Sequence, residues 1–289
     1  MEETLAGIPF CKLAGTGNDF IVVDNRESLV TEVDKGSLAT AICDRRRSVG
    51  ADGLLLLERS EVADFTMRLF NPDGNEGEMC GNGARCIAYY AYGAGIAPAG
   101  IRIETTAGIV QGRVRGTGVR LRLWRLESIC SEVREVEVSG QTLEVHYLEV
   151  GVPHGVVFEN NVHQVDGGTI QRLGREVRLH QAFPRGVNVN FVEVRGLRDL
   201  NIRTYERGVE DETLACGTGC VAASLVAHQV FGVESPVRLL TRGGALEVAF
   251  EEGASGWDIY LEGEVHHIME GRILPQAWEW KGGGAAGGR

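Results

Sequence analysis

The chain has 289 residues, of which 43% are apolar and 24% are charged, as in ordinary soluble globular proteins. Its net charge of −11 argues against a nucleic-acid groove or an anionic membrane as the main partner. No apolar run approaches the roughly 20 residues that a membrane helix needs, and the opening MEETLAGIPFCK does not resemble a signal peptide. We therefore expect one large or two medium domains that work in the cytoplasm.

Short β-type runs bounded by turn residues dominate the first half of the chain. They are residues 20–24, 54–58, 65–71, 101–105 and 119–124. A helix is predicted from Ala84 to a glycine stop at Gly93. This helix is apolar nearly all round, which indicates that sheet surrounds it. The charged stretch 125–142 that follows is interpreted as a linker.

The second half shows the same organisation. Its predicted strands are residues 143–150, 189–194, 200–206, 237–241, 246–250 and 257–263. Its helix is predicted from Val221 to Gly232. The fold class is therefore mixed α/β, with two similar domains that each contain one buried helix. We place the first domain at residues 1–126 plus 265–280, the second at 127–264, and a disordered tail at 281–289.

The two halves repeat at an offset of 136 residues. Chance glycine matches are expected in a chain with 40 glycines, but the other matches keep one register with them over a long stretch. This pattern predicts a duplicated fold. The matched pairs are Gly15 and Gly151, Gly50 and Gly186, Cys80 and Cys216, Gly81 and Gly217, Gly83 and Gly219, Arg102 and Arg238, Thr105 and Thr241, and Gly108 and Gly244.

The cysteine pattern does not indicate a disulfide framework or a metal site. There are seven cysteines, no C-x-x-C pair, and no histidine at zinc-ligand spacing from a cysteine. Five of them are interpreted as inert packing residues. These five are Cys11, Cys43, Cys86, Cys130 and Cys220.

The duplicated pair, Cys80 and Cys216, is different because each precedes a helix and is followed by Gly-x-Gly. A helix N-terminus carries partial positive charge, which we expect to lower the thiol pKa toward neutrality. The glycines let a carboxylate approach the backbone amides. One thiolate could remove an α-proton while the other thiol delivers a proton to the opposite face. The pattern thus predicts inversion of an amino-acid stereocentre.

Motifs for cofactors are incomplete. Residues 15–20 and 93–98 begin like dinucleotide fingerprints, but both lack the third glycine. There is no phosphate-binding G-x-x-x-x-G-K-[ST] loop, and no lysine stands in a convincing setting for pyridoxal phosphate. We expect neither a cofactor nor a metal.

Five sequence blocks resemble the diaminopimelate epimerase family. They are GTGNDF (15–20), FNPDGNEGEMCGNGARC (70–86), GVPH (151–154), VNVNF (187–191) and YERGVEDETLACGTG (205–219), and the resemblance runs from about residue 8 to 274. It implies two pseudo-symmetric domains, each a β-barrel-like mixed sheet around a central helix, with the active site between them. It also implies conversion of LL- to meso-diaminopimelate for lysine and peptidoglycan synthesis, without pyridoxal phosphate or metal, by a homodimer.

The resemblance assigns roles to the matching residues. It makes Cys80 the proton acceptor and Cys216 the donor in the LL-to-meso direction, with His154 and Glu206 tuning the cysteines. The reacting carboxylate would be held by Gly81, Asn82, Gly217 and Thr218. The remainder of the substrate would be bound by Asn18, Asn71, Asn188, Glu206 and Arg207. In this set, Glu206 could accept hydrogen bonds from an ammonium group, and Arg207 could donate two to a carboxylate.

Some of these residues could instead have purely structural roles. Asn71 could serve only the turn, Glu206 and Arg207 could be a solvated ion pair, and His154 could simply pack. The chain departs from the family at Val152, Gly53 and Ala14, where many or some members carry Asn, Gln and His. A second hypothesis is therefore a two-cysteine racemase that acts on another amino acid, such as proline or histidine. A third is a redox-sensing or binding protein whose two thiols pair reversibly.

Overall fold

The structure, a computed structural model, describes residues 7–77 and 79–279. The chain forms two compact units, and the predicted tail at 281–289 lies outside the described residues. Unit 1 comprises the chain up to Val119 and from Val265 onward, and unit 2 comprises Arg120–Glu264. The sequence placed the first division later, after residue 126. In the part of the chain that the structure describes, no helix is both long and apolar enough to span a membrane.

The described chain forms many short strands and a few helices. The strands are β1 (Ile8–Gly15), β2 (Asn18–Asp24), β3 (Gly53–Glu58), β4 (Phe65–Phe70), β5 (Glu76–Gly77), β6 (Gly100–Thr105), β7 (Gly108–Arg115), β8 (Gly118–Leu126), β9 (Glu132–Val138), β10 (Gln141–Val150), β11 (Val152–Phe158), β12 (Asn188–Val194), β13 (Asp199–Glu206), β14 (Asp211–Thr213), β15 (Val237–Thr241), β16 (Gly244–Gly253) and β17 (Gly256–Ile273). The helices are α1 (Lys35–Ile42), α2 (Gly81–Gly93), α3 (Gly167–Leu179), α4 (Gly217–Phe231) and α5 (Gln276–Glu279), and a single 3-10 turn covers Val162–Gln164.

The two units have the same strand order. In unit 1, the pairs β2–β3, β3–β4, β4–β6 and β6–β7 are parallel, antiparallel, parallel and antiparallel in turn. In unit 2, the pairs β11–β12, β12–β13, β13–β15 and β15–β16 follow the same series. Helices α2 and α4 occupy the same place in that order, after the short strands β5 and β14. The predicted duplication and the mixed α/β fold class are confirmed.

Helices α2 and α4 are the central helices of their units. Every residue from Asn82 to Ala88 is buried, and so is every residue from Gly219 to Ala227. Because successive residues of an α-helix point about 100° apart, such runs are covered on all sides. The prediction of a helix surrounded by sheet therefore holds in each unit.

Helix α3 packs differently, with one apolar stripe on the sheet of unit 2. Its buried residues are Ile170, Leu173, Gly174 and Val177, the spacing of a single helix face. A Cβ at Gly174 would lie 2.5 Å from the Cβ of Tyr205, so glycine lets this helix approach β13 closely. The sequence analysis did not predict α1 or α3.

The stretch 125–142 is part of a sheet. Strand β9 pairs antiparallel with β10, and Val136 and Val138 are buried in the core of unit 2. Glu135 and Glu137, which alternate with these valines, face outward, as in a strand with one solvated face. Because the stretch contains many charged residues, the sequence analysis interpreted it as a linker.

Candidate active site

Cys80 and Cys216 are the N-cap residues of α2 and α4. Both have extended backbones, with φ −135° and ψ 119° for Cys80 and φ −118° and ψ 110° for Cys216. The first helical hydrogen bonds are donated by Ala84 to Cys80 O (2.8 Å) and by Cys220 to Cys216 O (2.9 Å). The N–H groups of the three residues after each cysteine therefore have no carbonyl acceptor within the helix, which suits an anion. The glycines lie inside the first turn, since each helix begins three or four residues earlier than predicted.

The first turn of α2 lies beside the β1–β2 hairpin. Asn82 donates from Nδ2 to Asn18 Oδ1 (2.6 Å), and Asn18 donates from Nδ2 to Asp52 Oδ2 (2.9 Å). Thr16 and Gly17 form the hairpin turn with φ of 51° and 89°, a left-handed pair that sets Asn18 at the start of β2. The structure thus brings together two of the predicted substrate-binding residues in unit 1.

Three charged residues behind Asn18 were not predicted. Arg45 binds the carboxylates of Asp19 and Asp52 at 2.6 and 2.7 Å. Burial works against ionisation of Asp19, but Arg45 and Lys12 outweigh it, and the pKa of Asp19 is lowered. Asp52 consequently offers Asn18 a fixed acceptor. Neither the repeat nor the family blocks assigned a role to Asp52 or Arg45.

Arg85 supports Asn82 from within α2. It is fully buried and donates to Asn82 Oδ1 (2.7 Å) and Thr16 Oγ1 (3.0 Å). The side-chain amide of Asn82 is therefore held at both ends, with its nitrogen on Asn18 and its oxygen on Arg85.

Asn71 has a different setting from Asn18 and Asn82. Its described hydrogen bonds are backbone bonds that close the β4–β5 turn: its N–H donates to Asn75 O, and its carbonyl accepts from Gly74 N, both at 2.9 Å. The turn interpretation accounts for these contacts. The hairpin leads along the chain into Cys80.

In unit 2, Cys216 is buried next to Glu206 at the end of β13. The two side chains act on each other electrostatically, and Thr213 Oγ1 donates to Glu206 Oε1 at 2.5 Å. Burial raises the pKa of the Glu206 carboxyl. Burial, reinforced by the charge of Glu206, also raises the pKa of the Cys216 thiol to about 12. The expected lowering of this pKa is therefore wrong for Cys216, because desolvation and a neighbouring carboxylate outweigh the helix N-terminus.

A second contact of Cys216 lies within its own helix start. Its Sγ is 3.3 Å from Thr218 Oγ1. This hydroxyl favours the thiolate only weakly against the burial and the Glu206 charge. Cys216 is consequently a protonated thiol at neutral pH, and a group in that state can act as an acid.

His154 lies on β11, opposite Asn188 of the parallel strand β12. It is fully buried, and burial together with the charge of Arg207 lowers its pKa to about 3, so the imidazole is neutral. Its Nδ1 lies 3.2 Å from Asn190 Nδ2. Its Nε2 has no hydrogen-bond partner among the described residues.

Asn190 fixes the protonation of that imidazole. Its Nδ2 also lies 3.2 Å from Gly155 O, and its Oδ1 accepts from Thr204 Oγ1 at 3.0 Å. The amide orientation is thereby determined, so Nδ2 donates to His154 Nδ1 and the ring proton resides on Nε2. A Cβ at Gly219 would come within 2.3 Å of Asn190 Oδ1. Asn190 therefore lies against both His154 and the first turn of α4.

The sequence analysis missed Asn190, although VNVNF contains two asparagines on one strand face. It assigned a role to Asn188, whose Oδ1 accepts from the backbone N–H of Arg207 at 2.8 Å. The guanidinium of Arg207 donates to Arg185 O at 2.9 Å and stays exposed. The contacts in unit 2 relate Glu206 and Thr218 to Cys216, and Asn188 to Arg207. The residues predicted for this unit lie on β11, β12, β13 and the start of α4, the set being His154, Asn188, Glu206, Arg207, Gly217 and Thr218.

Comparison with known proteins finds similar sequences along nearly the whole chain. Residues 10–122 and 146–268 match the diaminopimelate epimerase family. Diaminopimelate epimerase of Aquifex aeolicus is 38% identical over 282 residues, which cover 94% of this chain and 99% of that protein. The Chlorobaculum tepidum enzyme of the same name is 42% identical over 268 residues, which cover 90% and 99%.

Solved structures at low sequence identity share the fold. A phenazine biosynthesis protein of the PhzF family from Bacillus anthracis aligns with a TM-score of 0.70 at 18% identity, over 92% of this chain and 99% of that one. A hydroxyproline epimerase from Agrobacterium vitis aligns with a TM-score of 0.61 at 16% identity, over 96% of both chains.

Proposed function

This chain belongs to the diaminopimelate epimerase family, and we propose that it converts LL-2,6-diaminopimelate to the meso isomer without a cofactor. The observation that carries the proposal is the duplicated cysteine N-cap. One cysteine in each unit begins a central helix whose first N–H groups are available to an anion. Two such groups meet the needs of a reaction that removes a proton from one face of a carbon and adds one to the other.

In the proposed LL-to-meso direction, the Cys80 thiolate takes the α-proton and becomes a thiol. The electron pair left on the carbon spreads into the adjacent carboxylate, whose growing charge the helix N-termini stabilise. The Cys216 thiol then delivers its proton to the opposite face and becomes a thiolate. The substrate is inverted with no net change in its atoms, and the two sulfurs have exchanged protonation states.

The protonated state of Cys216 supports its role as the acid in this direction. Its pKa is raised to about 12, and its carboxylate neighbour Glu206 keeps the proton on sulfur in the resting protein. Cys80 has another environment: it is only half-buried, and its Sγ accepts the N–H of Gly83 at 3.5 Å. A backbone donor to sulfur stabilises a thiolate.

Substrate recognition is proposed to use the polar residues that flank each cysteine. The amides after Cys80 and Cys216, with Asn82 and Thr218, would hold the reacting carboxylate. The described contacts give Asn18 and Asn82 a fixed orientation before substrate binds. Preorganisation of this kind lowers the cost of binding.

The far end of diaminopimelate carries a second ammonium and a second carboxylate. We assign these to Glu206 and Arg207, with further contacts from Asn71 of unit 1 and Asn188 of unit 2. Asn188 anchors the backbone of Arg207, whose guanidinium donates from Nη1 to Arg185 O and has further N–H groups to donate to a carboxylate. The buried Nε2–H of His154 would donate to the substrate or to Cys216.

Exchange in deuterated water tests the proposal. Incubation with LL-diaminopimelate in D2O should give meso product that carries deuterium at the inverted carbon, measured by chiral chromatography and mass spectrometry. If neither deuterium nor meso product appears, the proposed substrate is wrong.

The second candidate is a racemase for another amino acid. Val152 favours it, because this partly buried first residue of β11 has no hydrogen-bonding side chain where many family members carry asparagine. A panel of amino acids that includes proline and histidine, assayed for α-deuteration under the same conditions, distinguishes the two. Exchange with one of these and none with diaminopimelate would select the second candidate.

We also propose that the chain works as a homodimer in the cytoplasm, within the synthesis of lysine and of peptidoglycan precursors. The family resemblance supports each of these assignments. All seven cysteines are free, which agrees with a reducing compartment. Light scattering coupled to gel filtration would test the dimer: a mass near 31.3 kDa, that of one chain, would contradict it.

A further inference from the structure

We propose that Cys11, His267 and Glu270 bind a divalent transition-metal ion of the zinc type at the edge of unit 1. The sequence analysis treated Cys11 as a packing residue and found no metal-ligand spacing. Strands β1 and β17 bring the three residues together from opposite ends of the chain, and their ligand atoms all lie within 4.8 Å of one another. None of the three belongs to the candidate active site.

A β-bulge creates the arrangement. Cys11 pairs with Glu270, and Leu13, two residues further along the same strand face, pairs with His267. In a regular strand, residues 267 and 270 would point to opposite faces, because side chains alternate. The register shifts between Lys12 and Leu13, so that Ile268 is the extra residue of the bulge. The shift turns His267 onto the face of Cys11 and Glu270.

Two of the three distances between the ligand atoms are close to the edges of a metal tetrahedron. Cys11 Sγ lies 3.1 Å from His267 Nε2, which lies 3.4 Å from a carboxylate oxygen of Glu270. Zinc bonds of about 2.3 Å to sulfur and about 2.0 to 2.1 Å to nitrogen and oxygen separate tetrahedral ligands by roughly 3.3 to 3.6 Å. The third pair, Cys11 Sγ and the Glu270 carboxylate, lies within 4.8 Å, so the exposed Glu270 side chain would move toward the sulfur to seat the ion, and His267 Nε2 would be the ligand between them.

The chemistry and exposure of the three residues favour a zinc-type ion that can enter from solvent. A thiolate, an imidazole and a carboxylate form a borderline-soft donor set, which magnesium and calcium do not prefer. Cys11 is buried, whereas the side chains of His267 and Glu270 are 39% and 75% exposed. A water molecule would complete the coordination on the open side.

Cobalt(II) provides a direct test, because a cobalt–thiolate bond gives an intense near-ultraviolet absorption. The protein should carry Cys80→Ser and Cys216→Ser, so that the active-site thiols do not contribute. We expect one cobalt per chain, a thiolate band that Cys11→Ser abolishes, and displacement of cobalt by zinc. His267→Gln and Glu270→Gln should each weaken zinc binding at least about tenfold in a chelator competition.

Matched controls and a stability measurement complete the test. Cys130→Ser and His266→Gln replace an exposed cysteine and the exposed neighbouring histidine, and both should leave zinc binding unchanged. Zinc should also raise the melting temperature of the parent protein and not that of Cys11→Ser. Equal zinc affinity in Cys11→Ser and Cys130→Ser would overturn the proposal, since the three residues would then form only a hydrogen bond and an ion pair.

Discussion

Glu206 and Cys216 act on each other electrostatically in unit 2, and both have raised pKa values. For the thiol, burial is the larger cause and the carboxylate charge the second. For the carboxyl, burial raises the pKa and outweighs the hydrogen bond from Thr213. The pair therefore holds its proton on sulfur at neutral pH, which is the state that proton donation requires.

Glu206→Gln should lower the pKa of Cys216, because the charge that disfavours the thiolate is removed while the burial stays. The rate of alkylation by iodoacetamide against pH, measured in a Cys80→Ser background, reports this pKa. We expect its midpoint to move to lower pH in the variant. Glu252→Gln, at an exposed position of β16, is the control. An unchanged or higher midpoint in Glu206→Gln would show that the carboxylate does not act on this thiol.

Cys80→Ser and Cys216→Ser should each reduce isomerisation of diaminopimelate by about 10² to 10⁴-fold, the usual contribution of one acid–base group. A serine hydroxyl is too weak an acid to replace a thiol in either role. Loss of the circular dichroism of the LL substrate gives the rate, because the meso product is achiral. Cys130→Ser, which changes an exposed cysteine, should keep the parent rate. Full activity in either active-site variant would refute the two-base mechanism.

His154 should make the folded protein sensitive to mild acid. Its pKa is about 3 in the folded state against an ordinary value of 6.5, so the unfolded chain binds its proton first as the pH falls. The stability it contributes is complete above pH 6.5 and is lost toward pH 3, at up to about 1.4 kcal/mol per pH unit. Urea unfolding at pH 7.5 and pH 5 measures the loss.

A matched pair of variants isolates this contribution. His154→Gln should lose less stability between the two pH values than the parent protein does, because glutamine does not titrate. His163→Gln replaces an exposed histidine and should behave as the parent. Equal losses in all three proteins would mean that the buried imidazole is already free to take a proton in the folded state.

The duplication could be predicted from the sequence, because one cysteine block and its glycines recur in a single register. The helices after Cys80 and Cys216 could be predicted too, and their residues are apolar on every side. The raised pKa of Cys216 could not be predicted from the sequence. It depends on a carboxylate that the β13–β14 hairpin folds back onto the thiol, and on complete burial, neither of which a local motif contains. The helix N-terminus does favour the thiolate, as the sequence analysis argued. That argument left out burial, which raises the pKa of Cys216 by more.

The missed elements have equally specific causes. Helix α3 carries its apolar residues Ile170, Leu173 and Val177 at helical spacing, and that signal was available in the sequence. Strand β9 was hidden by the charged residues on its solvated face. Asn190 was visible as a residue type, but its contact with Gly219 depends on how α4 packs against β12. In unit 1, the corresponding Gly83 lies against Leu55 instead, so the repeat gave no indication of an asparagine there.

Asn190→Leu should lower both the stability and the activity of the protein. Leucine fills a similar volume, but it leaves Gly155 O and Thr204 Oγ1 buried without their present partner, at a cost of about 1 to 3 kcal/mol. It also removes the donor that holds the ring proton of His154 on Nε2, so we expect kcat to fall more than KM rises. Urea unfolding and steady-state kinetics measure the two effects. Asn201→Leu makes the same substitution at a partly exposed position of β13 and is the control. If Asn190→Leu kept both the parent stability and the parent kcat, Asn190 would be a filler of space and the tautomer of His154 would not matter to the reaction.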